Sequence, residues 1–278
     1  MNHAVSSCKI EILSASLLDE HSDRAQAFLQ LSKILSLGMG WHYLLDFIWT
    51  SLQLDLRSRT MVLDAGAGFG LFQWWLAEQG LNVISVDRMN RNKLPSRILK
   101  RYRVQLWQPV YLRKSFHLRK LVESWKRGIG ATGTIYLYSQ DLSNMPDIED
   151  ESVDQVVSIS ALEHNTPEHL RACIMELMRI LKPGGRLIAT IGAADKKDWF
   201  HEPSAGWCFT EATLRNLFYL SKECSSNYNR YHELFVELRN CNQLRENLAD
   251  FYFKSGNNGM PWGVWDPKYL SVGVVKVK

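Results

Sequence analysis

Cysteine is scarce and scattered in this chain. Cys8, Cys173, Cys208, Cys224 and Cys241 are odd in number and contain no C-x-x-C pair. That argues against a disulfide framework or a paired-cysteine zinc site, and favours a reducing, cytoplasmic setting. Long apolar runs are also missing: no stretch reaches the roughly 18 residues needed to cross a bilayer. Glu11 and Asp19 interrupt the start of the chain, where a signal peptide would need an unbroken apolar segment. There is no internal repeat, which sets aside solenoids and propellers. Between residues 88 and 127 it is acid that is lacking. Thirteen Lys or Arg stand there against the single acid Glu123, a local charge of +12 in a chain whose net charge is only +4.

With 278 residues, 46% of them hydrophobic, the chain can bury a full core as one elaborated domain. Ten tryptophans suggest an aromatic-lined cavity as well as ordinary packing. The organising stretch is Met61-Val62-Leu63-Asp64-Ala65-Gly66-Ala67-Gly68-Phe69-Gly70. It reads as a buried strand, a glycine turn and the start of a helix over 71–79, where backbone can approach a ligand closely. The spacing is G-x-G-x-G, whereas the dinucleotide fingerprint is G-x-G-x-x-G. An acid at the strand tip, Asp64, suits a ligand with an ammonium group better than a pyrophosphate.

Upstream, periodicity predicts helices over 22–35 and 41–54. Trp41, His42 and Tyr43 open the second, from which they either reach over the mouth of the glycine turn or pack on the sheet edge. Downstream, a strand over 82–86 ends in Asp87, where a ribose-binding carboxylate is expected. A third strand, 134–138, leads to Asp141, placed to accept from an adenine amino group. A fourth, 155–160, ends in Ser160-Ala161-Leu162-Glu163-His164-Asn165 and is followed by a helix to Leu181. Lys182-Pro183-Gly184-Gly185 reads as a turn that no helix crosses, and strand 186–191 follows it. Then come a loop over 192–209, helices near 211–220 and 237–253, and a last strand from Tyr269 to Val277. The basic segment divides at Pro109 into two expected helices. It reads as a solvated face with a packing stripe, as a surface for an acidic substrate or anionic membrane, or as a nucleic-acid contact.

Four motifs in this order, VLDAGAGFG, VISVD, SALEHN and LKPGGRLI, resemble the class I S-adenosylmethionine-dependent methyltransferases, most closely the broad type 11 family. The likeness covers roughly residues 58–220 and implies an α/β fold. The expected architecture is a Rossmann-like, seven-stranded, mostly parallel sheet with helices on both faces and its last strand antiparallel. A basic helical insertion would follow the second strand. In that frame residues 1–57 are an N-terminal helical cap and 58–278 the methyltransferase domain, with the insertion at 88–132 and a substrate lid at 192–209.

The resemblance implies S-adenosylmethionine as methyl donor. Asp64, Gly66, Ala67 and Gly68 would surround its methionyl part, Asp87 and Arg88 its ribose, and Asp141 and Leu142 its adenine, with Ser160 nearby. His164 falls where the family faces the methyl group, and His201 lies in the expected lid; either is a candidate base if the acceptor must lose a proton. The fourth strand lacks the [DNS]-P-P-[YFW] signature of enzymes that methylate base or amide nitrogens. No cysteine follows that strand as a covalent nucleophile, and no Asp-rich set follows it as a metal site, so no metal is expected. The acceptor implied is an oxygen or nitrogen of a small molecule, acidic or glycosylated. The alternatives are an RNA methyltransferase using the 88–127 segment and a donor-binding protein without catalysis.

Overall fold

A computed structural model describes residues 8–57, 60–106, 132–248, 260 and 263–278. Its centre is a parallel run of six strands in the order β4 (Arg103–Leu106), β5 (Thr134–Ser139), β3 (Asn82–Asp87), β2 (Met61–Ala65), β6 (Val153–Ile159) and β7 (Leu181–Ala193). The chain leaves β2 towards β3 on one side and later returns to build β6 and β7 on the other. The crevice of such a sheet opens where that order reverses, above the carboxyl ends of β2 and β6.

β11 (Leu270–Val277) lies antiparallel beside β7, as expected for the last strand. The rest of the sheet departs from seven strands. β1 (Cys8–Ile12) pairs antiparallel with β11, and the two-residue β10 (Ser225–Ser226) pairs with β1. The segment read as a helical cap therefore supplies a strand to the main sheet. Ile10 and Ile12 bury their side chains there, a five-residue alternation too short to stand out in sequence.

The expected loop 192–209 is largely a hairpin, β8 (Trp199–His201) with β9 (Gly206–Phe209). β6 pairs with β7 only as far as Thr190, and β9 takes up the ladder beyond it, at Gly192 and Ala193. Gly192 makes that approach possible, since a Cβ there would lie 2.9 Å from the Cys208 sulfur. The hairpin consequently stands over the tip of β6, as a fixed wall joined to the sheet. Lys182–Gly185 is a bulge inside β7: the register runs from Val153 opposite Leu181 directly to Gln155 opposite Arg186.

Helices α2 (Ser22–Leu35), α3 (Tyr43–Gln53), α4 (Phe72–Glu78), α6 (Pro167–Ile180) and α7 (Glu211–Leu217) follow the expected spans. The expected helix 237–253 is instead α8 (Tyr231–Arg239) and α9 (Asn242–Glu246), broken at Asn240 and Cys241; residues 249–253 lie outside the described residues. The short α1 (Leu17–Glu20) precedes α2. No helix among the described residues is long and apolar enough to cross a membrane.

The insertion after β3 is not simply helical. Among its described residues the one helix is α5 (Ser96–Arg101), and the alternating Arg103-Val104-Gln105-Leu106 pairs with β5 as an edge strand. The rest of the expected insertion, from 107 to 131, is outside the described residues. The cations described here are largely occupied. Arg91 is buried among strand tips, Arg97 donates to the Leu35 carbonyl at 2.5 Å, Arg101 pairs with Glu78 at 2.7 Å, and Arg88 lies 3.5 Å from Asp141.

Aromatic packing seats α2 and α3. Phe28, Phe47, Phe72 and Trp75 form one cluster between α2, α3 and α4, with centroids 5.1 to 6.1 Å apart. Trp49 lies on β11 over Gly273, where a Cβ would sit 2.3 Å from the indole ring, and donates to Glu11 of β1 at 2.7 Å. Gly273→Ala forces a methyl into that ring, so a loss of about 1–3 kcal/mol is expected. Urea denaturation measures it, and an unchanged midpoint would show that α3 can shift freely.

Candidate functional site

The glycine turn after β2 is held by the end of β3. Gly66 and Ala67 donate their amides to the Val86 carbonyl at 2.9 and 3.1 Å, and Gly68 donates to Asp87 Oδ2 at 2.8 Å. From beneath, Gln73 of α4 donates to the Gly70 carbonyl at 3.0 Å and accepts from Ser85 at 2.7 Å. Arg91 reaches in to the carbonyls of Ser85 and Tyr138, 2.8 Å each, tying β3 to β5 below the turn. The turn amides are thus used within the protein and are not bare towards a ligand. Gly66 and Gly68 both have positive φ, 74° and 47°. The Cβ position at Gly66 is filled by the methyl of Ala161, only 2.4 Å away, whereas at Gly68 the nearest atom is 3.7 Å off. One glycine therefore lets β2 and β6 meet, and the other leaves open space.

Above this turn lies a cavity of about 570 Å³. Asp64, Gly66, Ala67, Gly68 and Ser160 border it, together with the 36–40 connection, the start of α3 and the β8–β9 hairpin. Asp87, Arg88, Asp141 and Leu142 are not among the residues that border it; Asp87 ends β3 with Arg88 next to it, and Asp141 and Leu142 follow the end of β5. Leu142 comes within 3.8 Å of the Cβ position at Gly66.

The three acids differ in what holds them. Asp64 is buried with no side-chain hydrogen bond among the described residues, and burial lifts its carboxyl to about 7, with Arg91 pulling down and Asp87 pushing up. Asp87 accepts one amide on each oxygen, Gly68 on one and Met89 on the other, each at 2.8 Å. Asp141 lies low despite partial burial, because the Ser143 amide and hydroxyl donate to it and His169 and Arg88 add positive charge. Its Oδ1 is filled by these donors, which leaves Oδ2, beside Arg88, for an exocyclic amine. Asp141, His169 and Cys173 bring one donor atom each within 4.8 Å of one another. Burial raises the Cys173 thiol to about 12.

On the far side of the cavity are groups that were not singled out as catalytic from sequence. His42 Nδ1 lies 2.8 Å from Asp46 Oδ2, one turn along α3, and Asp46 is completely buried with its other oxygen accepting from Ser271. Glu163 is also buried. Its Oε1 accepts from Ser160 at 2.6 Å, while its buried Oε2 has no hydrogen-bond partner among the described residues; the residue borders the cavity. Burial pushes this carboxyl up, against the pull of His164, the Ser160 hydroxyl and His42. Tyr43 is raised to about 12, by burial first and then by the charges of Glu163 and Asp46. Burial also raises Tyr269, so both wall tyrosines keep their protons at neutral pH.

The two histidines expected near the methyl group have different surroundings. His164 borders the cavity from an exposed position, and its Nδ1–H donates to the Ala205 carbonyl at 2.9 Å, tying the turn after β6 to the hairpin. His201 does not border the cavity. Its Nδ1 meets the Ser204 hydroxyl at 2.7 Å and its ring packs edge-on behind Tyr269, 5.2 Å between centroids. Burial and then Lys268 lower its affinity for a proton.

A family model described as a methyltransferase domain matches residues 63–189. A search of curated proteins returns no match. Among solved structures, the [4+2]-cyclase SpnF is 12% identical, with a TM-score of 0.50 over 97% of this chain and 98% of that one. That likeness shows the fold. The Burkholderia thailandensis 1,6-didemethyltoxoflavin-N1-methyltransferase, with 1,6-didemethyltoxoflavin and S-adenosylhomocysteine bound, is 20% identical, TM-score 0.40, over 74% of this chain and 72% of its own. A methyltransferase from Mesorhizobium loti is 14% identical, TM-score 0.43, over 83% of this chain and 96% of its own.

Asp64 titrates near 7 in the folded chain against an ordinary 3.8. Its protonated form is favoured by folding, so the stability it contributes is present below about pH 4 and lost as pH rises through about 7. Asp64→Asn removes that loss. Denaturation of wild type and variant at about pH 5 and about pH 8 is expected to shift in the variant's favour at the higher pH. A constant difference would mean that the carboxyl is ionised throughout.

Proposed function

We propose that this chain, whose residues 63–189 match a family model described as a methyltransferase domain, is an S-adenosylmethionine-dependent methyltransferase that methylates an oxygen or nitrogen of a small molecule. The acceptor lies between the glycine turn and the β8–β9 hairpin. What carries the reading is the cavity of about 570 Å³, bordered by Asp64 and the glycine turn and by Tyr43, Trp207 and Tyr269. Such a space suits a compact, partly apolar molecule.

The residues fit the donor. Asp64 is a buried carboxyl short of an opposite charge, and an ammonium group above it supplies one. Gly68 leaves room for the methionyl chain, Asp87 and Arg88 stand beside the ribose, and Asp141 Oδ2 with Leu142 meets the adenine, with Ala67 and Ser160 lining the passage. Bound there, the donor offers an electrophilic methyl carbon on a sulfonium. The chain's own task is to hold the attacking atom in line and away from bulk water.

Calorimetric titration with S-adenosylmethionine is expected to give saturable binding. Removing a charged hydrogen-bond acceptor costs about 1.5–3 kcal/mol, so Asp87→Ala should weaken donor affinity about 10- to 100-fold. Unchanged affinity in that variant would remove the ribose assignment, and no donor binding by wild type would remove the reading itself.

A further inference from the structure

The acceptor end of the cavity contains two features that donor binding leaves unused. One is the His42–Asp46 pair. Asp46 has no exposed surface and is fixed by Ser271 of β11 as well as by His42. A carboxylate held at Nδ1 keeps the proton on that nitrogen and directs a lone pair through Nε2. His42 borders the cavity, and no hydrogen bond to its Nε2 occurs among the described residues. The second feature is Glu163, which borders the cavity and has one oxygen buried without a partner among the described residues. A buried polar atom left unsatisfied is costly, and a ligand group that pairs with it recovers that cost. Tyr43 and Tyr269 flank both features, and Phe47 and Trp207 complete a set of flat apolar walls.

Resting on the reading above, we propose that His42, oriented by Asp46, is the general base for a hydroxyl on a planar aromatic acceptor, and that Glu163 Oε2 hydrogen-bonds a second polar group of the same molecule. The chemistry balances without another reactant. The hydroxyl proton passes to His42 Nε2 as the oxygen lone pair forms the new O–CH₃ bond. The C–S bond breaks with its electron pair kept by sulfur, which leaves a neutral thioether. The imidazolium, stabilised by Asp46, later releases the proton to solvent. Charged groups facing His42 from neighbouring elements are Asp46 on its own helix and Glu163 from the turn after β6. His164 is the competing base, but its Nδ1–H is committed to the Ala205 carbonyl and its ring is exposed. His201 lies behind Tyr269. Glu163 is disfavoured as the base because one oxygen is already held by Ser160 and its burial favours the protonated form.

The experiment uses the full chain. Transfer from methyl-labelled S-adenosylmethionine is measured to phenol, para-nitrophenol, catechol and umbelliferone, with aniline and para-nitroaniline as matched amines. Labelling of at least one phenol and neither amine is expected. For a labelled phenol, His42→Gln should lower kcat by about 100-fold or more and abolish the acid limb of the pH profile, while calorimetric donor affinity stays unchanged. Asp46→Asn should lower kcat with little change in KM. Glu163→Gln should act mainly on KM, and His164→Gln should leave the acid limb in place. Independently of turnover, ring-nitrogen NMR of the protein loaded with S-adenosylhomocysteine should show His42 protonated at Nδ1 and not at Nε2, an assignment lost in Asp46→Asn. Three results would overturn the proposal: amines labelled in place of phenols or no phenol labelled, an acid limb that survives in His42→Gln or disappears in His164→Gln or Glu163→Gln, or the opposite His42 tautomer. Each is read in protein that binds the donor, so none is confused with failure of donor binding itself.

Discussion

Three successive amides of the glycine turn donate to the last two residues of β3, and the geometry of the whole crevice hangs on that clamp. Each bond is worth about 1 kcal/mol net, but together they fix where β2 ends and how its acid is presented. With the turn amides occupied, the floor offers little positive potential of its own. Its electrostatics are set by Asp64, Asp87 and the buried Arg91. A ligand carrying positive charge at one end answers that arrangement, and a pyrophosphate does not.

The same clamp explains why the cavity has two ends with different chemistry. Along β3 and β5, acids are already paired with amides, hydroxyls or cations, so they can recognise hydroxyls and amines without being left uncompensated. Across the crevice, α3 and the hairpin bring aromatic rings, α3 brings the buried Asp46 paired with His42, and the turn after β6 brings Glu163 with a spare oxygen. A fold of this kind hosts more than one chemistry, as the fold shared with a [4+2]-cyclase illustrates. The acceptor side therefore has to be argued from its own residues. Ser160, with φ of 46° at the junction of the two ends, holds a strained backbone where its hydroxyl bridges towards Glu163.

Much of the strand-tip geometry was legible in the chain. A strand ending in Asp64, glycines at alternate positions and an acid at the end of the next strand are local patterns, and parallel β–α alternation places them side by side. The use made of Gly66 was not legible, because its partner Ala161 is distant in sequence and meets it only when β2 and β6 pair. The place of Arg91 was not legible for a similar reason. Charge can be counted along a chain, but whether Arg91 faces solvent or reaches two buried carbonyls depends on strands that come before and after it. His42 and Asp46 did leave a trace, the i, i+4 spacing that puts both on one face of a helix. Glu163, between an apolar residue and a histidine, left none.

Local composition and period determined by themselves that this chain forms a parallel α/β sheet with an acid-tipped glycine turn, because those features depend on neighbours a few residues apart. Tertiary structure alone decided that β1 completes the sheet, that the segment after β7 is a wall and not a free loop, and that His42 faces Glu163 across one cavity. Those outcomes depend on which backbone edges find partners and on which polar atoms remain buried without one, and both are properties of elements far apart in sequence.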